Sequence, residues 1–140
     1  MTPSIPAGFL ETSAELPGIG RLFAQTGDGE AVIGFPATNA HCGGSGVLLP
    51  ALQAAFAAHT GETFVARLAA PDSTPTLVSL TSAFLNSAEC GQWIEGSARL
   101  VRRTRSLVFA HIEIRANGDV VMTAEGIWRT KPAKAETPES

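Results

Sequence analysis

Asn39-Ala40-His41-Cys42-Gly43-Gly44-Ser45-Gly46-Val47-Leu48-Leu49-Pro50-Ala51-Leu52-Gln53-Ala54-Ala55-Phe56-Ala57-Ala58-His59-Thr60-Gly61 joins a polar, glycine-rich loop to an almost wholly apolar helical segment. A helix apolar on all sides must be buried. A glycine loop at its head lets a ligand approach backbone N–H groups that have no partner within the helix. One amide, Gln53, sits in the middle of the segment, and no Asp or Glu occurs between Glu30 and Glu62. Pro50 fits best in a first helical turn, so the regular helix either begins near Leu49 or kinks there. The pattern carries the helix to about His59, with Gly61 as its C-cap.

Outward from this helix the chain reads mostly as strands. Residues 7 to 16 hold Phe9, Leu10 and Leu16 among helix-tolerant residues and predict a short helix, stopped by Pro17 and Gly18. Leu22 to Gln25 and Glu30 to Phe35 flank the turn sequence Thr-Gly-Asp-Gly and predict a hairpin. Residues 62 to 69, 76 to 85, 91 to 102, 106 to 115 and 119 to 129 carry β-branched, aromatic or alternating apolar residues. In the last pair, Val108, Ala110, Ile112 and Ile114 share a face, as do Val120, Met122, Ala124, Gly126 and Trp128. Asn117-Gly118 between them is a strong hairpin turn. Strands that follow one another without helical crossovers imply an antiparallel sheet. The class is therefore α+β: five to six antiparallel strands around one long central helix. It forms a single domain over 20–129, preceded by residues 1–19 and followed by a disordered tail, 130–140, rich in Lys, Pro, Glu and Ala.

At 140 residues the chain suits one domain that buries roughly two thirds of its unfolded surface. A net charge of −3 opposes general nucleic-acid binding, which favours a basic excess. No apolar run is long enough to span a bilayer, and the N-terminus has no basic region leading an apolar run. Cys42 and Cys90 lack metal-site spacing and are too few for a disulfide framework, which suggests reduced thiols in a cytoplasmic protein. Neither metal nor cofactor is implied.

The order of elements, with the glycine loop before the helix, Thr-Leu-Val-Ser-Leu-Thr-Ser-Ala-Phe-Leu-Asn-Ser-Ala at 76–88, the segment 91–110, and Ala-Glu-Gly-Ile-Trp at 124–128, resembles a hot-dog-fold acyl-CoA thioesterase of the phenylacetate-pathway type. The resemblance covers roughly residues 20 to 129. It implies a sheet wrapped around the helix and a homodimer joined edge to edge, often paired into a tetramer. It also implies sites at the dimer interface that take an acyl-CoA. In such families an Asn precedes a His-Gly-Gly loop, a loop N–H polarises the thioester carbonyl, and a helix carboxylate activates water or attacks.

Carried onto this chain, Asn39 matches the leading Asn with a gap one residue short. Aligning Gly46 with the final loop glycine puts Gly44 in place of the His, Ser45 in place of a glycine, and Gln53 at the acid position. Aligning His41-Cys42-Gly43-Gly44 instead puts the acid position near Ala51. The first register is preferred because it keeps a polar residue there; neither supplies a carboxylate. An amide orients water or donates a hydrogen bond but is too weak a base to take a proton near pH 7.

The predicted catalytic set is therefore Asn39, Gly46 and Gln53. His41, Ser45 and Thr76 are predicted to bind substrate, and Arg102, Arg103 and Arg105 to meet the nucleotide end of coenzyme A, since guanidinium groups pair with phosphate. Each has a structural alternative: a satisfied buried amide for Gln53, a cap for His41 or His59, and a solvated edge hairpin for the arginines. His41, His59, Asp72 and Glu89 are candidate bases. Three functions remain: a thioesterase, a non-hydrolytic binder of an acyl thioester, and a dehydratase or hydratase, which the missing acid weakens equally.

Overall fold

The computed structural model describes residues 4–25, 32–69 and 73–131. Seven strands form one sheet in the order β1-β2-β3-β5-β6-β7-β4, with every pairing antiparallel. In chain order they are β1 (Phe9–Leu16), β2 (Gly20–Gln25), β3 (Val32–Pro36), β4 (Thr76–Phe84), β5 (Trp93–Arg103), β6 (Leu107–Ala116) and β7 (Asp119–Arg129). The one α-helix among the described residues, α1 (Pro50–Leu68), lies against β4 to β7. This is the hot-dog arrangement.

Three expectations change. Residues 7 to 16 form strand β1 rather than a helix, which adds a strand and extends the sheet beyond residue 20. Local propensity yields there to pairing with β2 and to Phe9, whose ring meets Trp93 edge-on at 4.9 Å. Next, α1 does not end near His59; it continues through Gly61, and the strand predicted over 62 to 69 is its last part. A Cβ on Gly61 would come within 2.1 Å of the Trp128 ring, so this glycine admits a large side chain from β7 rather than capping the helix. Finally, α1 buries one stripe, formed by Gln53, Phe56, Ala57, Thr60, Gly61 and Val65. Ala54, Ala55 and Ala58 on the remaining surface are only partly covered.

The other patterns hold except at Val120: a register shift pairs it with Arg115, off the buried face, and Val121 is buried in its place. Pro50 occupies the first helical turn. Val108, Ala110, Ile112 and Ile114 of β6 are buried, opposite Met122, Ala124, Gly126 and Trp128 of β7. Asn117 and Gly118 turn the chain between them with φ of 48° and 93°, the sign pair of a type I′ turn. The hairpin of β2 and β3 forms as predicted, while its turn, 26–31, and the tail from 132 lie outside the described residues. β4 is a terminal strand of the sheet and leaves Leu77, Val78 and Phe84 exposed, with Leu85 just beyond.

Candidate functional site

The glycine loop is a small hairpin. Cys42 bridges Leu48, Gly43 N–H donates to the Val47 carbonyl (2.9 Å) and Leu49 N–H to the His41 carbonyl (3.0 Å). Gly46 N–H closes the turn on the Gly43 carbonyl at 3.0 Å. Gly46 has φ 80°, whereas Gly44 and Ser45 have no positive φ. A type I turn followed by a left-handed residue is a common three-residue hairpin loop. No atom lies within 4 Å of a Cβ placed on Gly46, so turn conformation alone accounts for the glycine. Its N–H, the predicted donor to the thioester carbonyl, is engaged by Gly43. A third segment clamps the hairpin from the other side: Leu48 N–H donates to the Ala88 carbonyl (2.7 Å) and Cys90 N–H to the Gly46 carbonyl (2.9 Å). Val47 thereby faces Glu89.

His41 ends a 3-10 turn, Asn39–His41, and is 6% exposed. Its Nδ1 accepts the Thr38 N–H at 2.9 Å, so the ring proton sits on Nε2, which donates to the Ile19 carbonyl at 2.8 Å. Both ring nitrogens serve the fold. Gln53 differs. It is 3% exposed, and its Nε2 has no hydrogen-bond partner among the described residues. It lines a groove of about 480 Å³ with Val47, Leu48 and Pro50 from the helix head and residues 84–87 from the end of β4. Among the described residues, no lining side chain is ionisable.

Asn39 lies in a separate cavity of about 420 Å³ with Thr38, Cys90 and Gly91. Its Oδ1 accepts the Cys90 thiol at 2.8 Å. Cys42 is close enough to Cys90 to feel its thiol; burial first, then that neighbour, pushes the Cys42 pKa up. The catalytic trio predicted from sequence is therefore not assembled in one cavity of one chain. Ser45 is exposed on the loop. Thr76 is also exposed and pairs with Arg129, at the end of β4 opposite Phe84.

Arg102, Arg103 and Arg105 are exposed. Arg103 Nη2 donates to the Leu68 carbonyl at 2.7 Å, where a cation complements the helix C-terminus. At 1.5 Å per residue, that end is about 22 Å along the axis from Gln53. His59 lies within α1 and not in its last turn, which overturns its capping role. Asp72 is outside the described residues.

Two further features lie outside the site predicted from sequence. The groove wall at 84–87 follows β4, and only the topology brings it to the helix head. On the sheet face away from the helix, His111 sits between Glu125 (Nδ1 at 2.5 Å) and Glu113 (Nε2 at 3.7 Å), beside a cavity of about 320 Å³ that Arg99 and Arg115 also line. Strand alternation alone puts His111, Glu113 and Arg115 on that face.

One long helix on a wholly antiparallel sheet, with a groove at the helix head, defines the hot-dog class. The family model described as the thioesterase superfamily matches residues 45–123, more than half of the chain, and the chain belongs to that superfamily. Comparison with curated proteins finds no match in sequence. Among solved structures, a thioesterase of Haemophilus influenzae is similar with TM-score 0.73 and 13% identity, over 81% of this chain and 80% of that one. A Gln-to-Ala mutant of a thioesterase enzyme from Staphylococcus aureus gives 0.69 and 21%, over 77% and 90%. An Asn-to-Asp mutant of the phenylacetic acid degradation protein PaaI of Thermus thermophilus gives 0.68 and 17%, over 77% and 91%. At these identities the likeness establishes the fold. Among the described residues, no helix is long and apolar enough to cross a membrane.

Proposed function

We propose that the protein hydrolyses an acyl-CoA thioester to a carboxylic acid and coenzyme A, in the groove at the head of α1. The observation that carries this reading is the Gln53 carboxamide, buried with its Nε2 unpartnered among the described residues, on a residue that lines the groove. A buried N–H without a partner carries a desolvation cost that an incoming acceptor relieves. A thioester carbonyl oxygen is such an acceptor, and Val47, Pro50, Phe84 and Leu85 suit the apolar acyl chain beside it.

The remaining parts come together in a homodimer. β4 is a sheet edge with exposed Leu77, Val78 and Phe84, and an unpaired apolar edge invites another strand. Antiparallel pairing of β4 with its copy sets the Thr76 end of one strand beside the Phe84 end of the other. The arginine-bearing end of one subunit then lies toward the Gln53 groove of its partner. In that assembly Gln53 receives the acyl carbonyl, Gly46, its N–H held by Gly43, shapes the loop with His41 and Ser45, and Asn39 sits in the neighbouring cavity. Thr76 borders the acyl group, and Arg102, Arg103 and Arg105 receive the phosphates of coenzyme A. Two such dimers form a tetramer. The domain spans 20–129 with β1 added, and its unbridged thiols suit the cytoplasm.

A second reading, a protein that binds an acyl thioester without turnover, is favoured by the absence of an ionisable side chain from the groove lining. Thiol release from benzoyl-, butyryl- and palmitoyl-CoA, run beside thermal shift, separates the two. The hydrolase releases thiol from at least one of the three; stabilisation by all three without thiol release would assign the protein to the binding class.

A further inference from the structure

A groove that polarises a carbonyl but lacks a base raises the question of where the proton from water goes. Val47 faces Glu89 in an antiparallel bridge. The flanking hydrogen bonds, Leu48 N–H to Ala88 O and Cys90 N–H to Gly46 O, make this a non-hydrogen-bonded pair. In such a pair the two side chains stand on the same face with Cβ atoms about 5 Å apart. Val47 lines the groove, and so does Ser87, two residues before Glu89. The exposed Glu89 side chain thus stands on the Val47 side of the bridge, next to the residues that line the groove. Its backbone is held by Gln92 Oε1, which accepts the Glu89 N–H at 2.7 Å. Among the described residues, no ion pair occupies the carboxylate.

We infer that Glu89 is the general base, supplying from the neighbouring segment the carboxylate that α1 lacks; this rests on the hydrolase reading above. Gln53 Nε2–H donates to the thioester carbonyl oxygen. Glu89 takes a proton from a water whose oxygen bonds to the carbonyl carbon, giving a tetrahedral oxyanion. Collapse of that oxyanion breaks the C–S bond. The proton held by Glu89 passes to the departing thiolate, so the products are a carboxylic acid and free thiol, and no other reactant is needed.

Thiol release is measured for the full chain, Glu89→Gln and Glu89→Asp with the same three acyl-CoAs. Glu89→Gln keeps size and hydrogen bonding but cannot accept the proton; its kcat should fall at least 100-fold, with KM within about threefold and an unchanged melting temperature. Glu89→Asp should retain part of the rate. Turnover by Glu89→Gln within twofold of the unaltered chain would overturn this role while leaving the hydrolase reading intact. No thiol release by the unaltered chain from any of the three would overturn both.

Discussion

His41 and Gln53 are the two buried polar side chains at the head of α1, and they are built in opposite ways. His41 has every hydrogen-bonding atom of its ring matched, Nδ1 to Thr38 and Nε2 to Ile19. Gln53 is as deeply buried but leaves its Nε2 unmatched. A satisfied buried group ties the elements around it together, whereas an unsatisfied one destabilises the fold unless something else supplies the partner. The histidine is thus a tie between the 3-10 turn and the loop before β2. The glutamine carries a buried donor with no partner among the described residues, even though histidine is by residue type the more familiar catalytic group.

That contrast can be broken by substitution. His41→Ala leaves the Thr38 N–H and the Ile19 carbonyl unmatched in a buried place and should cost about 3 kcal/mol of stability in urea unfolding. Its folded fraction should keep kcat within about threefold. Gln53→Leu should do the reverse. Thiol release falls about 100-fold, equivalent to about 2.7 kcal/mol, while stability stays level or rises because an unmatched amide is gone. If Gln53→Leu destabilised the protein as much as His41→Ala, the glutamine would belong with the histidine as a structural tie. Gly46→Ala tests the loop between them: with open space around it but φ at 80°, it should lose about 1 kcal/mol through backbone strain alone.

The smallest expected effect is at Cys42. Burial and the neighbouring Cys90 thiol raise its pKa, so the unfolded chain gives up this proton first. Stability is held below the ordinary thiol range and falls as pH rises beyond about 8.5. Cys42→Ala should flatten that decline in melting temperature between about pH 8 and 10.

The parts of the fold legible in the sequence are those set by local pattern. Alternation in β6 and β7 and the Asn117-Gly118 turn fix a hairpin without outside help. The misread parts depend on distant residues. Gly61 looks like a helix stop until Trp128 arrives from β7 to fill the space left by its missing side chain. Residues 7 to 16 look helical until β2 and Trp93 offer a partner. At the site, the burial of Gln53 was legible from the apolar residues around it. The engagement of Gly46 N–H was not, because the same glycine spacing suits both an anion-binding loop and a hairpin bulge. The separation of Asn39 from Gln53, and the approach of Glu89 to Val47, follow from pairings across some forty residues or more of chain.

The claim that the Gln53 carboxamide receives the acyl carbonyl is tested most directly by calorimetric titration. A butyryl-CoA analogue with a methylene in place of the thioester sulfur is titrated into the unaltered chain and into Gln53→Leu. This ligand keeps the carbonyl and cannot be hydrolysed, so binding is measured apart from turnover. The account predicts binding at least tenfold weaker in Gln53→Leu, a loss of about 1.4 kcal/mol, with no loss of melting temperature in the free protein. Equal affinity in the two proteins would contradict it.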